Sequence, residues 1–132
     1  MTALDTVQTF LKHVFAGNLD EASRLVAADA AFISGRPVAN PRVPVQGTFT
    51  GPAGGREFFR LFAELLEPGE FKISDSFSAG EQVCMYGNLR HRSRQTGREF
   101  ASDWALICRV REGKLSLYHF YEDTAALEAA IC

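Results

Sequence analysis

The 132-residue sequence predicts an α+β domain in which a curved antiparallel sheet wraps around helices. Three observations carry this. Apolar residues recur at helical spacing in stretches of the first half of the chain. Almost everything from Glu70 to Glu122 reads as strand, interrupted by glycine-bearing breaks. Hydrophobic residues at 46% and charged residues at 23% suffice for a single core, and the length fits one domain, residues 1–132.

In chain order, Leu4, Val7, Leu11 and Val14 place a helix over Ala3 to Phe15, with Phe10 beside them. Thr2 or Asp5 supplies its cap and Gly17 ends it. Asp20 to Ala27 reads as a second helix, turning Ala22, Leu25 and Val26 inward. Ala30 to Ser34 is a short strand. Gly35 to Gly47 carries Pro37, Pro41 and Pro44, which remove ladder donors and leave a loop or an irregular edge. Gly51-Pro52 opens a third helix, apolar through Phe58, Phe59, Leu61, Phe62, Leu65 and Leu66, and Pro68-Gly69 stops it. Four strands follow: Phe71 to Ser78, Gln82 to Ser93, Arg98 to Val110 and Lys114 to Glu122. A closing helix runs from Thr124 to Ile131, with Asp123 as its cap.

Several function classes drop out at this level. A net charge of −2 lacks the basic face that phosphate neutralisation requires, so no nucleic-acid partner is expected. No apolar run approaches the roughly 20 residues of a bilayer span, and the N-terminal residues do not resemble a signal peptide. Cys84, Cys108 and Cys132 are an odd count without paired spacing. They fit reduced thiols in a cytoplasmic protein, and with three scattered histidines they give no metal or cofactor site.

The chain resembles the SnoaL-like branch of the nuclear transport factor 2-like superfamily. The matching segments are Asn18-Leu19-Asp20, Ala28-Asp29-Ala30-Ala31-Phe32, Gly47-Thr48-Phe49-Thr50-Gly51-Pro52 and Phe58-Phe59, then Thr96-Gly97-Arg98, Arg111-Glu112-Gly113-Lys114-Leu115 and Tyr121-Glu122-Asp123-Thr124-Ala125-Ala126-Leu127. The resemblance implies a conical fold, a sheet wrapped around three helices with a deep pocket between, and a homodimer. It includes ketosteroid isomerases, polyketide cyclases, epoxide hydrolases and binding modules without activity, so fold does not decide function. The isomerase positions for an oxyanion-holding tyrosine, a base and a second aspartate fall on Phe10, Ser34 and Leu106. The epoxide hydrolase positions fall near Gly87, Leu89 and Phe120. None of these can do the family's proton chemistry. Two readings follow: a pocket protein for an apolar or enolisable small molecule, with isomerase or polyketide-cyclase-like activity, or a non-catalytic ligand-binding or dimerisation module.

Strand counting places the pocket face. A three-residue loop, Arg111-Glu112-Gly113, sets Val110 opposite Lys114, Cys108 opposite Ser116, Leu106 opposite Tyr118 and Trp104 opposite Phe120. The expected pocket lining is Phe10, Phe32, Ser34, Phe58, Phe62, Ser102, Trp104, Leu106, Tyr118 and Phe120. The other face carries Ala101, Asp103, Ala105, Ile107, Leu117, His119 and Tyr121, apolar enough to form a dimer interface. In this register Asp103 is diagonal to His119, giving an acid–base pair if the register is shifted by one and an interface polar patch otherwise. His91, within Arg90-His91-Arg92-Ser93-Arg94, is expected at a pocket rim with its pKa depressed by the arginines.

Overall fold

The computed structural model describes residues 1–132. Helix α1 (Ala3–Phe15) begins in a reciprocal cap: Thr2 Oγ1 accepts from the Asp5 N–H, and the Asp5 carboxylate accepts from the Thr2 N–H. Helix α2 (Leu19–Ser23) is a single turn. Here the expectation of a helix to Ala27 is corrected, because Val26 already belongs to strand β1 (Val26–Ser34). Leu25 carries the chain into the sheet by accepting from the Leu115 N–H.

The segment after β1 is irregular but not a surface loop. Val43 and Val45 are fully buried, as is nearly all of Gln46. Strand β2 (Thr48–Thr50) pairs antiparallel with β1, and Gly51-Pro52 opens α3 (Gly51–Leu65). Gly51 has φ +74 and sits against the Ala28 carbonyl, where a Cβ would not fit. Strand β3 (Leu66–Ala79) starts at once, so Pro68-Gly69 does not separate helix from strand. It is a bulge within β3, marked by a register shift between Glu67 and Glu70.

Strands β4 (Gln82–Ser93), β5 (Glu99–Arg111) and β6 (Lys114–Glu122) complete one six-stranded sheet of order β2-β1-β6-β5-β4-β3. It is antiparallel except for β1 beside β6, which run parallel. Helix α4 (Thr124–Ile131) is capped by Asp123, whose carboxylate accepts from the Ala126 N–H. The concave side holds α1 and α3. There Val7, Phe10 and Leu11 of α1 and Phe58 of α3 meet Phe32, Leu106, Cys108 and Tyr118.

The β5–β6 connection corrects the expected register. The turn has two residues, Glu112 (φ 53) and Gly113 (φ 76), both left-handed as a tight hairpin of this kind requires. Arg111 faces Lys114, and the extra residue lies instead at Ser116 in β6, where the register shifts between Arg109 and Val110. Cys108 therefore faces Tyr118, Leu106 faces Phe120 and Trp104 faces Glu122. The shift is two residues, an even number, so the inward face keeps the expected parity.

Candidate functional site

A cavity of about 260 Å³ lies between the C-terminal half of α3 and the concave side of β3 to β6. Phe58, Phe59, Phe62 and Ala63 come from α3, with Phe15 at the end of α1. Leu66, Pro68, Gly69 and Phe71 come from β3, Leu89 and His91 from β4, Phe100 from β5, and Tyr118, Phe120 and Glu122 from β6.

Two aromatic arrangements shape it. On the sheet side, Trp104 stacks on Phe71 (centroids 4.6 Å apart, planes at 17°) and on Phe120 (5.4 Å, 23°). Under α3 the rings meet edge to face: Phe58 with Phe59 at 89°, Phe58 with Phe62 at 70°, and Phe59 with Tyr118 at 80°. Near-parallel rings on one wall and edges on the other suit a flat, apolar guest.

Polar atoms reach this lining through His91, Tyr118 and Glu122. Glu122 ends β6 on the inward face. Ser34 Oγ donates to its Oε1 at 2.6 Å, while Oε2 is buried and has no partner within the protein. Burial pushes the carboxyl up to about 7, against the opposing pull of the Ser34 bond. Burial also holds the Tyr118 phenol well above its ordinary value, helped by Cys108 and Glu122, so Tyr118 is a neutral O–H donor at physiological pH. The site therefore offers a carboxyl that can be acid or base near neutrality, inside an apolar wall. No group of three or more His, Cys, Asp or Glu side chains converges to hold a metal ion.

Of the residues expected to line a pocket, the structure brings Phe58, Phe62, Tyr118 and Phe120 to this cavity. The others lie outside its lining. Phe10 and Phe32 form the layer behind it, packed on Tyr118 at 6.0 and 5.5 Å. Leu106 is sealed in the core beyond that layer. Trp104 is buried behind Phe71 and Phe120 and touches the space through them. Ser34 acts through Glu122. Ser102 has inward parity but lies outside the cavity, its hydroxyl accepting from the Asp123 N–H at 2.9 Å and donating to the Asp103 carbonyl.

The Asp103–His119 pair does not form. Asp103 faces Asn88, and His119 faces Ile107, stacks on Tyr121 at 3.8 Å and contacts the Gly35 carbonyl. The His91 pKa is lowered, but by burial, because Arg90 and Arg92 alternate to the other side of β4.

Sequence reasoning missed Glu122, and alternation held the signal: Tyr118 and Phe120 point inward, so residue 122 does too. It also missed Phe71 and Phe100 as wall residues.

A SnoaL-like domain model matches residues 7–118. The chain belongs to the SnoaL-like family. No curated protein sequence matches it significantly. Among solved structures, an NTF2-like protein from Burkholderia xenovorans LB400 is 25% identical, with TM-score 0.88 over 98% of this chain and 95% of that one. TerC, co-crystallized with polyporic acid, is 17% identical, with TM-score 0.82 over 98% of this chain and 97% of that one. A Mesorhizobium loti protein described as a SnoaL-like polyketide cyclase is 20% identical, with TM-score 0.70 over 92% of this chain and 99% of that one. This SnoaL-like chain thus shares its architecture with proteins named for different activities, and its own chemistry has to be read from its own cavity.

Proposed function

We propose that the cavity binds a flat, apolar, enolisable small molecule and that Glu122 moves a proton on it, in an isomerase or polyketide-cyclase-like reaction. The observation that carries this is the buried Glu122 carboxyl, with one oxygen held by Ser34 and the other unpartnered within the protein. A carboxyl titrating near 7 takes a proton from carbon as carboxylate and returns it as acid, without a second group. The aromatic walls support a planar ligand, and the co-crystal of TerC with polyporic acid supports a small organic one.

The test is exchange of the α-protons of 2-tetralone, a flat enolisable ketone, with deuterium from solvent, followed by NMR. The wild-type chain is expected to accelerate exchange and Glu122→Gln to lose that acceleration. Equal rates for the two proteins would contradict the assignment. Binding of the ketone without acceleration would favour the non-catalytic module, a reading that the apolar Phe10 and Leu106 support.

We further propose that the chain works as one domain and as a homodimer through the convex sheet face. The cross-strand rows Phe77–Cys84–Ile107–His119–Ile33 and Tyr86–Ala105–Tyr121 are contiguous there, with Phe77 53% and Tyr121 44% exposed. Sedimentation should give a dimer at micromolar concentration, and Ile107→Lys should give a monomer. A wild-type monomer would refute this account of the face. No helix is long and apolar enough to cross a membrane.

A further inference from the structure

The cavity has a second polar station, remote from Glu122. The β3 bulge creates it. Pro68 has no N–H, and the Gly69 N–H leaves the ladder to donate to His91 Nδ1 at 3.0 Å. A neutral imidazole whose Nδ1 accepts carries its proton on Nε2. The His91 ring lines the cavity, lies parallel to Phe71 with planes at 5°, and is half-buried, which favours the neutral form. Beside Gly69, the Arg90 carbonyl also lies near the ring and opposes the effect of burial, while no side chain takes the Nε2 position, which leaves that N–H to offer a guest.

The sheet register separates this donor from Glu122. His91 faces Phe100 and Glu122 faces Trp104, so they stand four residues and two strand spacings apart. That is about 16 Å between Cα atoms on a flat sheet, less between side-chain tips on a concave one. Measured against the flat-sheet separation a single six-membered ring falls short and two fused rings come closer.

We propose that His91 is a specificity-determining residue whose Nε2–H donates to an acceptor oxygen of the ligand, at the end opposite the group that Glu122 handles. The ligand class is then an elongated flat molecule of two or more fused rings, with a carbonyl, ether or carboxylate oxygen at the His91 end. This rests on the proposed cavity reading, but its consequence is separate from proton transfer.

Two probes of matched shape test it by calorimetry: 6-acetyl-2-naphthol and 6-isopropyl-2-naphthol, which differ in one acceptor oxygen. The wild-type chain should bind the acetyl compound about fivefold tighter, the value of one neutral hydrogen bond. His91→Phe should lose that preference, read as the ratio of the two affinities within the same protein, whatever the change in either alone. A preference retained in His91→Phe, or absent in the wild-type chain, overturns the assignment. Nitrogen-15 NMR of the wild-type imidazole gives an answer without a variant: the Nε2–H tautomer supports the proposal and the Nδ1–H tautomer overturns it. Failure of both probes to bind would overturn the cavity reading together with this one. Loss of tetralone exchange with the acetyl preference intact would remove only the role of Glu122.

Discussion

Glu122→Gln is expected to stabilise the protein above neutral pH. The carboxyl has a folded pKa near 7 against an ordinary value of 4.5. Between those values the folded state holds a proton that the unfolded chain has released, so wild-type stability falls as pH rises through this window. Below about pH 4.5 the residue is neutral in both states and contributes no such penalty; above about 7 it is charged in both and the penalty is complete. The shift corresponds to about 3 kcal/mol, a value of the right order for a group this well buried. The glutamine side chain carries no charge in either state, so the unfolding curves of the variant should lack this slope. Urea denaturation of both proteins at pH 5 and pH 8 checks it: the variant gains about 2–3 kcal/mol on the wild type between the two conditions. Parallel pH dependences would mean that Glu122 is solvated as an ordinary surface carboxylate.

The second large effect is mechanical. Phe58 is 1% exposed, and its ring lies 5.1–5.9 Å from those of Phe32, Phe49, Phe59, Phe62 and Tyr118. It joins α3 to the concave sheet face. Truncation to alanine removes the hub and enlarges the cavity on the same side, so little can collapse into the space. Phe58→Ala should cost about 3–5 kcal/mol. Equilibrium unfolding with an unchanged denaturant slope measures this. A loss below about 1 kcal/mol would show that α3 is held by its flanking contacts rather than by this cluster.

Legibility followed the length of the pattern. Helix α1, with its Thr2–Asp5 cap, and helix α3 were readable because their apolar residues repeat over three turns or more. Strands β4 and β5 were readable because alternation persists along their whole length, and β6 because it resumes from Tyr118 onward. The α2–β1 boundary was not, since Leu25-Val26-Ala27-Ala28 is too short a run to distinguish a helix turn from a strand start. Pro68-Gly69 reads as a stop but serves as a bulge inside β3, because the proline's missing donor falls where the ladder is already broken. The β5–β6 register failed for a related reason: the irregularity at Ser116 is displaced from the turn and has no marker residue.

The site was harder to read than the fold. Glu122 stands beside Asp123 at the end of a strand, a setting in which a charge is normally solvated. Its burial depends on Ser34, 88 positions earlier. His91 sits among arginines, and only strand alternation turns it inward while Arg90 and Arg92 face out. Both lie where one residue of parity decides between solvent and cavity.

The proposed role of Glu122 requires a buried carboxyl that exchanges its proton near neutral pH. Carbon-13 NMR of glutamate side-chain carboxyls, assigned by comparison with Glu122→Gln, tests it most directly. One carboxyl should titrate with a midpoint near 7 and vanish from the spectrum of the variant. A Glu122 midpoint in the ordinary range around 4.5 would contradict the account, leaving the cavity without its acid–base group.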